Sequence, residues 1–493
     1  MRFSRVFSSL STGRLMTFVL LLCVFIMAAR PITDPDFWWH LRTGQHILET
    51  KSIPHEDIFS YTQPGRPWIT HEWFAEILLY AIYVLSGHGG LILVFAGIIT
   101  ATFALLYLQC GGRPYLASFV VVWAAITSAV TWGVRPQMFS LLLSSAFLYI
   151  LHLYRRGKRW HIWLLPPLMV LWANLHGSFY LGLVFPSVYI VGAAIENVLA
   201  GSKDTRLTWR DLRGLLLVTL ITAIAPILNP NGVQILIYPF GTLGSPAMQR
   251  YIMEWFSPDF HLAQFQPFAI YILVLLASFG VSRRAPNPIQ FLFMLGFGYA
   301  SLRSARHMPF FVLTTAPLLT DQILHAWQGW KWTERYRTRP ERRGRWTVVV
   351  NWLLLGVVLL GGAAQVSSTL AGNAAAQRET FPVAAVDFLE SSQTRDRAYN
   401  LYHWGGYLIW RLYPERRVFI DGRADVYGDQ FIEEYLEVYQ LRPTWQEPLD
   451  TYGVGVAIID TGSSLATMLS ERADWYRAYA DEQAVVFFRQ EGG

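Results

Sequence analysis

The chain has 493 residues, 53% hydrophobic and only 15% charged, with a net charge of +6. A soluble globular chain carries about 25% charged residues, so an ordinary soluble fold is excluded. The basic residues lie in short segments between apolar runs, which makes them orientation signals and removes nucleic acid as their partner. Two cysteines, Cys23 and Cys110, rule out a disulfide framework or a cysteine-ligated metal.

At the amino terminus Arg2, Arg5 and Arg14 precede an apolar run from Leu15 to Ala29. No small-x-small cleavage site follows, which predicts an uncleaved first span. Further apolar runs lie at 89–110, 115–132, 136–154, 160–175, 178–198, 214–229, 267–281, 288–302, 307–326 and 347–365. Their lengths suit helices crossing roughly 30 Å of hydrocarbon, about eleven in all. The stretch 73–86 is shorter and follows His71 and Glu72, with Glu76 inside it. It reads as an interfacial or re-entrant helix.

With the amino terminus in the cytoplasm, the inside segments collect Arg155-Arg156-Gly157-Lys158-Arg159 and the basic run from Arg339 to Arg345. That asymmetry is the positive-inside pattern. It predicts a multi-pass protein of a cell (inner or plasma) membrane. Loop 31–88 and everything beyond 366 then lie on the extracytoplasmic side.

Loop 31–88 opens with Asp34-Pro35-Asp36-Phe37-Trp38-Trp39-His40-Leu41. Asp34 suits a helix cap, Pro35 the first position and Asp36 the first turn. The helix is expected to run to about Glu49, with Phe37, Trp38, Leu41 and Leu48 facing the membrane surface. Two carboxylates then sit at the lip of the first span, near the positive end of a helix dipole. Plain capping with an aromatic interface belt fits the same residues. His55, Glu56, Asp57, His71 and Glu72 follow in the same loop.

Other outside ends add polar groups. Arg135 precedes Pro136, Asn174 and His176 precede Gly177, Asn229 opens a turn, and Glu254 lies in a semi-polar loop. Arg303, Arg306 and His307 cluster at one outer span end. These arginines either snorkel to lipid headgroups or clamp a phosphate-bearing lipid through bidentate guanidinium contacts.

From about 375 to 493 the charge density becomes ordinary. Strands are expected at 397–402, 417–421, 454–460 and 484–489, and helices at 382–391, 404–412, 429–439 and 464–473. Alternation of this kind predicts an α/β domain. Within it, Asp421, Arg423 and Asp425 occupy a Gly-containing turn after a strand. Such a turn is either a ligand-binding loop or a structural turn with an internal Asp–Arg pair.

This arrangement resembles the GT-C superfamily of membrane glycosyltransferases. The likeness rests on the amino terminus placed inside, the Asp34-Pro35-Asp36 motif after the first span, about eleven spans, and an outside α/β domain. The resemblance implies an α-helical membrane domain over 1–366 and an extracytoplasmic α/β domain over 375–493. It implies a hexosyl- or pentosyltransferase, mannosyl- or arabinosyltransferase-like, using a polyprenyl-phosphate sugar donor, with membrane lipid around it and an unidentified acceptor. Asp34 or Asp36 would act as general base on the acceptor hydroxyl or orient the acceptor, and Arg303, Arg306, His307 and Arg135 would be the donor-phosphate contacts. His40, Asp57, His71 and Glu72 are candidates for acceptor or metal, Asn174, His176, Asn229 and Glu254 for the cavity. Some relatives bind a divalent metal, Mg or Mn, and others need none. The two other classes are a flippase for lipid-linked intermediates and a non-enzymatic envelope assembly protein. The absence of internal repeats and of mid-span charges speaks against transport.

Overall fold

A computed structural model describes residues 10–111, 114–199, 207–329 and 345–490. The predicted inside charges Arg2, Arg5, Arg339, Arg342 and Arg343 lie outside the described residues. Among the described residues, seven helices are long and apolar enough to cross a membrane, and the shorter Thr12–Ala28 is apolar as well. Several start on the side chains that release them from the preceding loop. Thr208 and Asp211 form a capping box before Trp209–Ile224, and Asn287 and Gln290 form another before Pro288–Arg303.

Two predicted elements merge in Trp73–Gln109. The expected short helix at 73–86 and the span at 89–110 are continuous across a kink at Gly87, whose φ of 62° is easy only for glycine. Helix Arg345–Thr380 continues well past the expected end of its span and delivers Phe381 to the tail.

The tail carries a four-stranded sheet in the order β1-β2-β4-β3. β1 (Arg397–Asn400) runs parallel to β2 (Val454–Asp460), and β4 (Ala484–Arg489) is antiparallel to both β2 and β3 (Trp475–Ala480). β3 was not expected: it is an edge strand with exposed polar positions and no apolar run to mark it.

The segment 417–421 corrects a sequence expectation, because it is not a strand of this sheet. On one side the Asn400 amide holds it, accepting from Phe419 N at 2.9 Å and donating to Ile420 O at 2.8 Å. On the other side it bonds to the first loop: Val418 N donates to Phe59 O at 3.0 Å and Tyr61 N to Val418 O at 3.1 Å. Thr62 Oγ1 also donates to Phe419 O at 2.7 Å. The apolar residues there pair with another part of the chain rather than with their own sheet.

Phe37, Trp38 and Leu41 give the second correction. They do not face the membrane surface; all three are buried inside the protein. Trp38 meets Phe381 and Tyr407 edge-on, with ring centroids 5.6 and 5.1 Å apart. Helix Gly405–Leu412 of the tail lies against helix Asp36–Thr50, and Gly406 makes this possible because its missing side chain leaves room for the Pro35 carbonyl. Leu48 alone of the expected set stays exposed.

Arg423 completes the junction. It is 2% exposed. Its Nη2 lies 2.8 Å from Asp57 Oδ1 in the first loop and 2.7 Å from Asp421 Oδ2 in the tail. Its guanidinium also stacks near Trp68 and Phe59, at 4.6 and 5.0 Å. Removing one partner of a buried ion pair strands the other charge, at about 3–5 kcal/mol. Arg423→Met is therefore expected to lower the thermal midpoint of the detergent-purified protein and to expose segment 51–70 to protease. Adding Asp57→Asn and Asp421→Asn should restore part of the loss, because the stranded charges are then gone.

Candidate active site

The junction of loop, bundle and tail encloses a cavity of about 710 Å³. Asp36 opens helix Asp36–Thr50; the cap position falls on Pro35 rather than on Asp34 as expected, and Asp34 Oδ1 accepts from Asp36 N at 3.0 Å. Arg135 approaches from just before Gln137–Arg155, held there by Pro136 and by two bonds to Gln137 Oε1 at 3.1 and 2.7 Å. Its Nη1 lies 2.7 Å from Asp34 and 4.0 Å from Asp36, and its Nη2 lies 2.6 Å from Glu254. One guanidinium thus serves three carboxylates.

The electrostatics follow from that count. Burial opposes the charge on Arg135, but the carboxylates outweigh it and hold its pKa well above the usual value. Burial also opposes the charge on Glu254, and Arg135 overrides it, so Glu254 stays below the ordinary carboxylate range. Asp36 receives the weakest share. Burial and the neighbouring Asp34 push its pKa up to about 7, and Arg135 and the Trp39 indole offset this only in part. Trp39 Nε1 donates to Asp36 Oδ1 at 3.2 Å, while a third of the Asp36 side chain remains accessible from the cavity.

The tail forms the roof. Gly422 lies directly against the Asp36 carboxylate, where any larger residue would collide with it. Tyr402 OH donates to Gly422 O at 3.1 Å and keeps that turn in place. Asp425 accepts from Tyr238 OH at 3.3 Å, and the Tyr238 ring stacks on His71 at 4.2 Å. Arg306 also lines the cavity, its guanidinium 4.4 Å from the Trp255 ring centroid.

Beneath Asp36 lies a second group. Glu72 is surrounded by His40, His71 and His176 at 3.4, 3.3 and 3.4 Å. Burial opposes the charge on His71, but Glu72 beside it raises its pKa. His176 Nδ1 accepts from Ser178 N at 3.1 Å, which leaves its Nε2–H directed at Glu72.

The expected residues therefore divide. Asp34, Asp36, His40, His71, Glu72, Arg135, His176, Glu254, Arg306, Arg423 and Asp425 line the cavity. The others lie outside its lining. Arg303 is on the surface and donates to Gln249 at 3.0 Å, because the last turn of its helix points it away from the cavity. Asp57 and Asp421 are consumed by Arg423. Asn174 accepts from Trp73 Nε1 at 2.7 Å and Asn229 donates to Ala173 O at 2.9 Å, so both join helix ends. His307 is packed at the start of Met308–Gly329. Tyr402, His403 and Tyr435 in the roof were not among the expected site residues, since no local pattern marks residues that reach a site from a segment distant in the chain.

A divalent metal does not fit on the Asp34–Asp36 pair. Arg135 already fills the position between them and Glu254 with a fixed positive charge.

No family model and no curated protein sequence matches the chain. Solved structures do. The crystal structure of the Archaeoglobus fulgidus oligosaccharyltransferase in the apo form superposes with a TM-score of 0.54 at 11% identity, over 92% of this chain and 70% of that one. The complex of this archaeal enzyme, AglB, with an inhibitory peptide and a dolichol-phosphate gives 0.54 at 10% identity, over 90% and 69%. The chain therefore shares the fold of this archaeal oligosaccharyltransferase.

Arg135→Met would leave Asp34, Asp36 and Glu254 as like charges without their shared cation. A carboxyl whose folded pKa lies above its unfolded value disfavours folding increasingly as pH rises from the unfolded pKa towards the folded one. The variant's loss of thermal midpoint should be larger at pH 8 than at pH 5. Equal losses at both would show that the guanidinium does not compensate these carboxylates.

Proposed function

We propose that this protein is a GT-C-type glycosyltransferase. It moves a sugar from a polyprenyl-phosphate-linked donor to an acceptor on the extracytoplasmic face of a cell membrane. The amino terminus lies in the cytoplasm, and the membrane domain (1–366) and tail domain (375–493) share the site. The observation that carries this reading is a cavity in which an accessible carboxylate with a raised pKa, Asp36, lies beside the Arg135 guanidinium and shares the lining with Arg306.

The proposed division of labour follows from charge. The acceptor hydroxyl gives its proton to Asp36 as its oxygen attacks the anomeric carbon. The bond from that carbon to the phosphate oxygen breaks, and the phosphate leaves with the electron pair. A general base works best with a pKa near the working pH, which favours Asp36 over Asp34, whose carboxylate is bound to Arg135. Arg306 takes the donor phosphate by charge-assisted hydrogen bonds, with Arg135 as the fixed charge behind it. The dolichol-phosphate bound by the fold neighbour supports a polyprenyl-phosphate donor here.

The test is transfer or donor hydrolysis with a polyprenyl-phosphate sugar labelled in the sugar. Asp36→Asn is expected to lose about 10²–10⁴-fold in rate, the usual contribution of a positioned base. Asp34→Asn should lose less, and Arg306→Ala should raise KM for the donor. The wild-type rate should fall as pH drops below about 7, where Asp36 gains its proton. No turnover with any such donor, or full activity of Asp36→Asn, overturns the assignment. Passage of intact donor across a vesicle membrane without transfer would favour the flippase reading.

A further inference from the structure

The transfer reaction leaves one buried cluster without a task. His40 projects from helix Asp36–Thr50. Glu72 precedes helix Trp73–Gln109 and Glu76 lies in its first turn. Four residues apart, the two glutamates share one helix face, and His40 sits between them. Its Nδ1 is 3.1 Å from Glu76 Oε1 and its Nε2 is 3.4 Å from Glu72 Oε2. The three residues are 4%, 7% and 1% exposed.

Hydrogen bonding alone does not satisfy this group. A neutral imidazole has one N–H and serves one of the two carboxylates. Glu76 Oε2 is fully buried and has no hydrogen-bond partner. Buried carboxylates are normally paired or coordinate a metal. Here one ligand atom from each of His40, Glu72 and Glu76 lies within 4.8 Å of the others. The second oxygen of Glu72 is fixed by His71 and His176, as carboxylate ligands are fixed by outer hydrogen bonds. His40 and Glu72 reach the cavity, which gives an ion its entry path.

We infer that His40, Glu72 and Glu76 bind one divalent transition-metal ion of the zinc–manganese class. Imidazole nitrogen suits zinc and its first-row neighbours, and the two carboxylates also admit manganese, whereas magnesium keeps to all-oxygen octahedra. The ion neutralises both glutamates and ties the base of helix Asp36–Thr50 to the start of helix Trp73–Gln109. Those backbones already touch, since Gly44 packs against the Glu76 carbonyl. His40, Glu72 and Glu76 are thus positioning residues for Asp36. The inference does not depend on glycosyl transfer, because metal is measured without donor or acceptor.

The full-length protein, purified in detergent, is stripped with chelator, reconstituted separately with zinc, manganese and cobalt, and desalted. Elemental analysis should find about one zinc per chain, and cobalt should give a visible d–d absorption. Glu76→Gln and His40→Ala should each lose at least ten-fold in zinc affinity, while Asp34→Asn and Asp36→Asn keep it. Should either ligand variant misfold, the wild type decides: its thermal midpoint should fall on chelation and recover at one equivalent of zinc. The proposal is overturned by a wild type that binds none of the three metals and shows an unchanged midpoint, which would place a proton on Glu76 instead. Zinc retained in full by folded Glu76→Gln and His40→Ala overturns it too, as does zinc lost in Asp36→Asn.

Discussion

The architecture turns on the burial of one guanidinium. Arg423 cannot stay charged inside the protein without both Asp57 and Asp421, and these come from segments more than three hundred and sixty residues apart. Within the tail, Asp421 pairs with Arg423 and accepts from Tyr427 OH, while Asp57 is held in the first loop by Phe59 N and Ser60 N and supplies the guanidinium with its second carboxylate. The buried pair between Asp57 and Arg423 thus ties the first loop to the tail. The backbone repeats this logic beside the ion cluster, where Val418 bonds to Phe59 and Tyr61. Once the tail is locked there, Gly422 and Tyr402 must lie over Asp36, and Asp425 over Tyr238 and His71. The roof of the cavity is a consequence of that docking.

Much of the fold was legible in local pattern. The positions of the apolar helices, the helix beginning at Asp36, and strands β2 and β4 follow from hydrophobic period and capping chemistry, which act over a few residues. Helix lengths and the expected total of about eleven spans do not, seven helices among the described residues being long and apolar enough to cross. What stayed illegible depends on long-range pairing. Residues 417–421 have strand composition, yet Asn400 and the first loop take their backbone groups. Phe37 and Trp38 have the composition of an interfacial belt, yet both are buried in the protein, Phe37 against His88 and Trp38 under the tail's Tyr407. Aromatic faces look alike to sequence reasoning whether lipid or protein will cover them.

The site divided in the same way. The acids at 34 and 36 were visible because a helix start is a local feature. Arg303 and Arg306, three residues apart at a helix end, were indistinguishable in sequence. The break after Ser304 turns Arg306 inward onto Trp255 and leaves Arg303 outside. Glu76 had a readable signal, its spacing of four from Glu72, but its contact with His40 required the packing of two helices.

The placement of charge also bears on the kind of work the protein does. A transporter needs its ionic groups near the middle of the membrane, where alternating access can switch them between sides. In this chain the charges buried along helices sit at helix ends. Glu196 pairs with Arg155 at 2.7 Å, both in the last turns of their helices. The remainder gather where loop and tail meet the bundle. There, Arg135 and Arg306 supply positive charge in a cavity that also holds the accessible Asp36. Among the described residues the buried helix charges lie at helix ends, which accords with the proposed chemistry at one face of the membrane rather than passage through it.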